Sequence, residues 1–263
     1  MEKEILDPRR HIALKGAQNV RDLGGYSTAD GGKTKWRQFV RCANMHQLTE
    51  DDQKILVEFG AGTVIDLRTS SAVERMPNVF AQSNEVVYHN YDFWGDRVND
   101  FEPSPSSLGQ AEHLAELYRL AFDRCGGIIG EILTTLANAG DHAAVFHCGA
   151  GKDRTGIVAA LLLGNAGVPH ETIAADFALT ERYLDEPNRD HDNPEPLHIP
   201  NPEAQRLLGW PEPLSVYFFS CLPQTMLLAL EYLDERYGGV ESYLRTVGLS
   251  EDLIRRLRTK LLA

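Results

Sequence analysis

The most constraining feature of this 263-residue chain is the stretch at positions 147–156, which reads HCGAGKDRTG. It follows a short apolar run at 143–147, AAVFH, which is typical of a buried strand. It leads into residues 155–164, TGIVAALLLG, which predict a buried helix that ends near Gly164 or Gly167, before Pro169. A strand, a tight glycine-containing loop and a helix N-terminus are therefore expected in immediate succession.

This predicted loop has the composition of an anion-binding site. Backbone N–H groups point out of a helix N-terminus without intrahelical partners, and the helix dipole favours negative charge there. Gly149 and Gly151 flank Ala150 and allow the backbone to curl, so that successive N–H groups face one point. We therefore expect residues 149–151 to bind a phosphate-like anion.

The side chains of the loop add a nucleophile and a fixed positive charge. Cys148 lies where the field favours a thiolate, which is the reactive form of cysteine. Arg154 offers a planar fork that can bind two phosphate oxygens. Thr155 could donate its hydroxyl to the Cys148 sulfur, and His147 could orient the loop by bonding to its backbone. Because Arg154 and the N–H groups supply charge stabilisation, no metal or other cofactor is expected.

A nucleotide-binding P-loop is the alternative interpretation of this glycine-rich stretch. That motif would place a glycine at position 146 and a serine or threonine at position 153. The chain has Phe146 and Asp153 there, so we reject this interpretation. The spacing of Cys148 and Arg154 would be weak evidence by itself, but the flanking residues and the strand–helix context make coincidence a poor explanation.

Cleavage of a phosphate ester also needs a general acid at the leaving oxygen. Asp153 lies inside the loop beside Arg154, while Asp92 and Asp96 lie upstream in the segment YDFWGD at 91–96. Asp153 could instead orient Arg154 or cap the helix. Lys152 is either a solvated lysine or a cation at the rim of the site that meets a second phosphate of the substrate.

The ten-residue stretch resembles the signature of an atypical protein-tyrosine-phosphatase-like family that is common in bacteria and fungi. Other segments agree with this family in order along most of the chain, although Cys42 stands where serine is expected. The agreeing segments are Asn19 to Tyr26, Phe39-Val40-Arg41, Leu48-Thr49, Asp66-Leu67-Arg68, Glu74, Ile173, Asp176-Phe177, Leu179-Thr180, Tyr237 to Val240 and Tyr243-Leu244.

The resemblance implies a protein-tyrosine-phosphatase-like fold and a phosphomonoesterase activity. The family includes secreted bacterial enzymes that act on phosphotyrosine, phosphoserine or phosphothreonine, and phosphoinositides. In relatives with this signature the loop aspartate is the general acid, so we favour Asp153 over Asp92 and Asp96. Asn19, Arg21 and Asp22 are interpreted as structural residues that brace the loops beside the site.

Strand and helix patterns alternate along the chain, which predicts an α/β fold with a mainly parallel central sheet flanked by helices. Strands are expected around Tyr26 and Phe39, at 63–67 and at 85–89, and the sequence predicts helices at 49–60, 111–124 and 127–139. The last fifty residues predict two helical segments separated by Gly238-Gly239. Residues 1–263 are expected to form a single domain, within which the proline-rich segment 185–213 is either a surface excursion or a lid over the pocket.

The net charge of -12 argues against a nucleic-acid partner and against adsorption to an anionic membrane. No apolar run is long enough to span a membrane, and the N-terminal residues do not read as a signal peptide. The 4 cysteines show no disulfide or zinc spacing, so we expect reduced thiols and a cytoplasmic protein, with export by a route without a cleaved signal left open. Cys42, Cys125 and Cys221 are expected to be small buried side chains.

Together these features predict a metal-independent phosphatase that acts on phosphotyrosine-type monoesters through a phosphocysteine, with dual specificity as an extension. The expected partner is a phosphorylated protein or a phosphoinositide, and phosphoinositide hydrolysis is the close alternative function. A phosphate-binding pseudophosphatase, or sulfur transfer or arsenate reduction, are the alternatives from other classes. The sequence does not indicate an oligomeric state.

Overall fold

The computed structural model describes residues 2–97, 110–185 and 221–262. Within these residues the strands are β1 (Arg21–Asp22), β2 (Phe39–Cys42), β3 (Ala61–Asp66), β4 (Val87–Asn90) and β5 (Ala143–His147). The helices are α1 (Glu2–Ile5), α2 (Glu50–Phe59), α3 (Ser70–Arg75), α4 (Gln110–Arg124), α5 (Gly126–Ala137), α6 (Asp153–Asn165), α7 (His170–Asp185), α8 (Pro223–Tyr237), α9 (Val240–Thr246) and α10 (Glu251–Leu261).

The strands form one sheet in the order β1-β2-β5-β3-β4. β1 pairs with β2 in an antiparallel manner, and the other pairings are parallel. The central strand β5 is buried along its whole length, as expected for a strand covered on both faces. The predicted α/β class, with a mainly parallel sheet flanked by helices, is confirmed.

The strand register brings the carboxyl ends of four strands to one edge of the sheet. Cys42 and Asp66 each pair with His147, and Asp66 also pairs with Asn90. In parallel sheets, ligands bind just beyond this edge. The loop that follows β5 therefore starts at the centre of the edge, with other strand ends on both sides.

Side chains of the central strands alternate between two apolar clusters, one on each face of the sheet. Phe146 and Ile65 belong to one cluster, together with the buried face of α6 that includes Ile157. Val145 and Val64 belong to the other cluster. This alternation is the period-2 pattern of a strand, and it fixes α6 and the loop before it against a defined face of the sheet.

Helix α2 shows why the predicted helix at 49–60 forms where it does. Thr49 accepts a hydrogen bond from the Asp52 N–H, Asp52 bonds back to the Thr49 N–H, and Gly60 ends the helix at φ 108°. Within this helix Ile55 is 41% exposed, whereas Leu56 is fully buried. Adjacent helical residues point about 100° apart, and Leu56 alone of the two faces the core.

Two strand predictions need correction. The strand expected at 85–89 is β4, which begins two residues later because the N–H groups of Glu85 and Val86 both donate to the Ser83 hydroxyl. No strand forms at Tyr26, whose N–H donates to the Thr34 hydroxyl and whose carbonyl accepts from the Thr34 N–H. Local side-chain bonds thus replace ladder pairing at both places.

The helices predicted at 111–124, 127–139 and 155–164 are α4, α5 and α6, with ends shifted by a few residues. Gly238-Gly239 separates α8 from α9 as predicted, but a third C-terminal helix, α10, begins after Ser250, whose hydroxyl caps the Leu253 N–H. The segment 185–213 lies outside the described residues, except for Asp185 at the end of α7. None of the described helices has the length and apolar content that a membrane crossing requires.

Candidate active site

Cys148 lies directly after β5, at the centre of the carboxyl edge of the sheet, and is 1% exposed. The chain between Cys148 and the start of α6 is residues 148–152, which we call the cysteine loop. The Leu67 N–H donates to the His147 carbonyl at 2.8 Å, which ties the start of the loop to the end of β3. The strand, loop and helix predicted from the sequence are therefore all present.

The backbone carbonyls of the cysteine loop are held by donors that lie outside it. His147 Nδ1 donates to the Cys148 carbonyl at 3.1 Å, and the Asn44 N–H donates to the Gly149 carbonyl at 2.8 Å. A neutral imidazole supplies that donor because its other nitrogen, Nε2, accepts from Asn78 Nδ2 at 2.8 Å. The predicted bond from His147 to the loop backbone is thus present.

Two further side chains hold the rest of the loop. Asn19 Nδ2 donates to the carbonyls of Ala150 and Gly151, at 2.9 and 3.1 Å. Arg41 Nη2 donates to the carbonyls of Gly151 and Lys152, at 2.9 and 3.4 Å. Five consecutive carbonyls, from residue 148 to residue 152, are therefore bonded to groups outside the loop.

The outward carbonyls determine where the loop N–H groups point. The peptide bonds are trans, and a trans peptide places its N–H opposite its C=O. The N–H groups of residues 149–153 are consequently turned away from the anchoring side chains and toward the space that the loop encloses. Successive backbone N–H groups with this orientation can bind an anion, and the helix N-terminus at Asp153 would favour its negative charge.

Gly151 is the loop residue whose backbone excludes a side chain. Its φ is +66°, and a Cβ atom at this position would lie 2.4 Å from the carbonyl oxygen of Cys42. The loop packs directly on the end of β2 at this point. Glycine at position 151 is therefore required both by the left-handed backbone and by the close approach.

Arg154 lies beside the loop with its guanidinium group anchored at the end of β3. Its Nη1 donates to the Leu67 carbonyl at 3.1 Å. A Cβ atom at Gly149 would lie 3.7 Å from Arg154 Nη2, so the guanidinium also reaches the first glycine of the loop. Cys148 and Arg154 are thus brought to one site, as predicted, and this arginine can bind an anion held by the loop.

His147 is fully buried between the loop and the neighbouring strands. Its Nε2 lies 3.5 Å from Asp66 Oδ2, and Asp66 is itself bonded to the Arg68 guanidinium. Burial lowers the pKa of His147 and outweighs the opposing effect of Asp66. The imidazole is therefore neutral at ordinary pH, in keeping with the bonds of its two nitrogens.

Thr155 lies in the first turn of α6 and is fully buried. Its hydroxyl has no hydrogen-bond partner among the residues that the structure describes. The predicted bond from this hydroxyl to the Cys148 sulfur is therefore not formed. A buried polar group without a partner costs stability, and such groups are found where a ligand or intermediate supplies the missing bond.

Asp153 is the first residue of α6, and its side chain is 25% exposed. The Tyr118 hydroxyl of α4 donates to its Oδ1 at 2.7 Å, and Lys152 Nζ lies 3.5 Å from the same oxygen. Lys152 is only 2% exposed, which differs from both expectations of a solvated or rim lysine. Its charge is instead compensated inside the fold by the Asp153 carboxylate.

The upstream candidates Asp92 and Asp96 follow β4, which lies two strands away from β5. The carboxylate of Asp92 accepts hydrogen bonds from the Gly95 N–H at 2.9 Å and from the Ser70 N–H at 3.1 Å. Both of its oxygens are therefore bonded to backbone N–H groups. Asp96 is exposed. Asp153, by contrast, directly adjoins the cysteine loop.

A buried cluster that sequence reasoning missed supports the anchor Arg41. Arg41 Nη1 and Arg21 Nε bond to the two carboxylate oxygens of Asp176 on α7, at 2.7 and 3.0 Å. Burial alone would raise the pKa of Asp176, but the two guanidinium groups hold it well below its ordinary range. The resemblance included all three residues, yet their separation in the chain gave no signal that they meet.

All four cysteines are buried, and none of them forms a disulfide bond. Burial raises the pKa of Cys125 and of Cys221 to about 11 each, which suits small apolar side chains. The expectation for Cys42, Cys125 and Cys221 as buried side chains is confirmed. Within residues 2–97, 110–185 and 221–262, no group of three or more His, Cys, Asp or Glu side chains is arranged to hold a metal ion.

An α/β sheet whose central strand is followed by a cysteine, a tight loop and a helix defines the class of protein-tyrosine-phosphatase-like phosphomonoesterases. Comparison with known sequences agrees with this class, because the profile of the tyrosine phosphatase family matches residues 12–263. This chain belongs to the tyrosine phosphatase family.

Two relatives illustrate the similarity. A tyrosine-protein phosphatase of Nostoc commune is 30% identical over 233 residues, which cover 85% of this chain and 74% of the relative. The triple specificity protein phosphatase PtpB of Mycobacterium tuberculosis is 26% identical over 276 residues, which cover 95% of this chain and 98% of the relative. The chain is therefore a protein phosphatase by family.

Proposed function

We propose that this protein hydrolyses phosphotyrosine-type monoesters without a metal, through a phosphocysteine formed on Cys148. The observation that carries the proposal is the outward bonding of carbonyls 148–152, which turns the N–H groups of residues 149–153 toward one point beside the cysteine. Such an array can hold the non-bridging oxygens of a phosphoryl group, and Arg154 adds a fixed positive charge.

In the first step the Cys148 thiolate attacks phosphorus, and an electron pair of sulfur forms the S–P bond. The bond from phosphorus to the ester oxygen breaks, and its electron pair leaves with that oxygen. Asp153 transfers its proton to the leaving oxygen, so that a neutral alcohol or phenol departs. Arg154 and the loop N–H groups stabilise the charge that develops on the phosphoryl oxygens.

In the second step a water molecule attacks the phosphocysteine. The Asp153 carboxylate accepts a proton from this water as the new O–P bond forms. The S–P bond breaks, and its electron pair returns to the Cys148 sulfur. The unpartnered hydroxyl of Thr155 would donate a hydrogen bond to the sulfur at this stage, when sulfur regains its negative charge.

We infer that the protein also accepts phosphoserine and phosphothreonine, and that phosphoinositides are an alternative substrate. The support is that a relative covering 95% of this chain is called a triple specificity protein phosphatase. Comparing kcat/KM on matched phosphotyrosine and phosphoserine peptides and on a soluble phosphoinositide would rank these substrates. Turnover of the phosphotyrosine peptide alone would contradict the broader specificity.

A cytoplasmic location is part of the proposal, because the mechanism needs Cys148 in its reduced form. The four buried cysteines, none of which forms a disulfide bond, support a reducing compartment. Fractionation of the cells that produce the protein, followed by immunodetection, tests this point. Recovery of the protein outside the cytoplasm would contradict it.

The proposed mechanism is tested by hydrolysis of an aryl phosphate in the presence of EDTA, by the wild type and by Cys148→Ser. We expect the wild type to keep its full activity with EDTA. Cys148→Ser should lose activity by about 10⁴-fold or more. Activity that EDTA abolishes, or that survives the substitution, would overturn the mechanism.

A further inference from the structure

Tyr118 donates a side-chain hydrogen bond to Asp153 from a distant part of the chain. It lies on α4, thirty positions before the cysteine loop, and is fully buried. Its hydroxyl donates to Asp153 Oδ1 at 2.7 Å. Lys152 Nζ lies 3.5 Å from the same oxygen, so a hydroxyl donor and an ammonium group both lie on the Oδ1 side of the carboxyl group.

The ring of Tyr118 is held independently of this bond. It packs edge-on against Phe177 of α7, with the ring centroids 6.1 Å apart and the ring planes at 88°. Phe177 in turn packs beside Gly156, since a Cβ atom there would lie 3.2 Å from the phenylalanine ring. Phe177 of α7 therefore packs against both the Tyr118 ring and the first turn of α6, which fixes the tyrosine relative to Asp153.

Burial, together with the neighbouring Asp153 carboxylate, raises the pKa of Tyr118 well above its ordinary value. The hydroxyl consequently stays protonated and remains a hydrogen-bond donor at all physiological pH values. A donor aimed at one carboxyl oxygen leaves the other oxygen as the site for a transferable proton. None of the described residues forms a hydrogen bond with Oδ2 of Asp153, and the carboxyl group is partly exposed.

We propose that Tyr118 is a positioning residue for the general acid: its hydroxyl binds Asp153 Oδ1, so that the proton lies on Oδ2 and points to the leaving oxygen. This inference rests on the proposed role of Asp153. When the ester bond breaks, the proton passes from Oδ2 to the leaving oxygen and the carboxyl group becomes a carboxylate. The Tyr118 bond to Oδ1 strengthens as that negative charge appears, so it stabilises the transition state more than the ground state.

The test compares two aryl phosphates in Tyr118→Phe, one with a good leaving group such as 2,4-dinitrophenol and one with a poor leaving group such as phenol. The good leaving group needs no proton, so kcat/KM for it should stay within about threefold of the wild type. The poor leaving group does need a proton, and kcat/KM for it should fall about tenfold or more. Adding Tyr118→Phe to Asp153→Asn should cause no further loss on either substrate.

Tyr243→Phe is the matched control, because Tyr243 is also fully buried and its hydroxyl donates to the Phe122 carbonyl at 3.0 Å, away from the loop. It should lower the melting temperature without any dependence on the leaving group. If Tyr118→Phe slows both substrates equally, or behaves like Tyr243→Phe, the positioning role is refuted. If Asp153→Asn itself shows no leaving-group dependence, the proposed general acid is wrong instead, and the two failures are thereby distinguished.

Discussion

At the scale of single residues, the site combines side chains that bond to the loop backbone with one that does not. Asn19, Arg41 and His147 donate hydrogen bonds to loop carbonyls, although Arg41 Nε itself has no partner among the described residues. The buried hydroxyl of Thr155 also has no partner among the described residues. The first group maintains the shape of the loop, whereas Thr155 is available to an intermediate.

Thr155→Val should therefore separate activity from stability. Valine has nearly the same shape and removes a buried hydroxyl that has no bond in the free protein, so the free energy of unfolding should stay the same or rise. The loss of the donor to sulfur should lower kcat about tenfold or more. Urea denaturation and steady-state kinetics check the two parts; a large loss of stability with unchanged kcat would contradict the assignment.

Asn19→Gly removes the amide that binds two loop carbonyls and retains a residue that tolerates the φ of 57° at this position. Without this anchor, the loop N–H groups are less fixed, and the affinity for inorganic phosphate or vanadate should fall about tenfold. The competitive inhibition constants of inorganic phosphate and vanadate measure this affinity. Asn138→Gly is the control, because Asn138 lies at the end of α5 and its side chain bonds to Arg256. Equal losses of phosphate affinity in both variants would argue against the anchoring role of Asn19.

Residue roles could be predicted from the sequence where the chemistry lies in one contiguous stretch. Cys148, Arg154 and His147 are close along the chain, and local geometry brings them together. The contacts of Asn44 with the loop and of Tyr118 with Asp153 were not foreseen, because they join residues separated by many intervening positions. The burial of Lys152 was also missed.

At the scale of secondary-structure elements, a buried charge cluster joins helix α7 to strands β1 and β2. Asp176 of α7 binds Arg21 of β1 and Arg41 of β2, and the Tyr26 hydroxyl donates to the same carboxylate at 2.8 Å. Arg41 then extends to the cysteine loop. The position of the loop is thus linked to the packing of a helix that follows it in the chain.

Asp176→Asn should destabilise the protein by about 3–5 kcal/mol, because it leaves two buried guanidinium groups without their counter-charge. The pKa of Asp176 is depressed in the folded state, so its contribution to stability is present above the unfolded value of about 3.9 and is lost as pH falls toward the folded value. The wild type should therefore lose stability below about pH 4 more steeply than Asp176→Asn.

The pH series is measured by denaturant unfolding of both proteins, with Glu85→Gln as the control. Glu85 is exposed, so its substitution should change the free energy of unfolding by less than about 0.5 kcal/mol and should leave the pH dependence unchanged. Parallel pH profiles for the wild type and Asp176→Asn would show that the cluster does not act as described.

Most elements could be predicted because periodicity and capping agree. Helix α2 has both a capping box and a terminating glycine, and the apolar segments of β3 and β5 are short and uninterrupted. Prediction failed where local bonds compete with pairing, as at Tyr26 and at the start of β4. The missed helix α10 has its own serine cap, but the predicted boundary at Gly238-Gly239 obscured it.

At the scale of the whole molecule, the sheet divides two apolar clusters, and the loop lies where the strands between them end. We propose that residues 1–263 form one domain. Calorimetric unfolding should then show a single transition in which the calorimetric and van't Hoff enthalpies agree. Two resolved transitions would contradict this proposal.

The net charge of -12 contrasts with the positive field that the loop, Arg154 and the start of α6 create locally. Function therefore depends on one small region rather than on the overall charge. The family, the fold and the outward-bonded carbonyls all lead to the same central claim, which is that a phosphoryl group is transferred to Cys148.

The most direct measurement of this claim is to mix the protein with an aryl phosphate, quench within milliseconds in denaturant, and locate phosphorylated residues by mass spectrometry. The account predicts a phosphoryl group on Cys148 that appears during turnover and is absent in Cys148→Ser. Continued product release with no phosphoryl group on Cys148, or with the group on another residue, would contradict it.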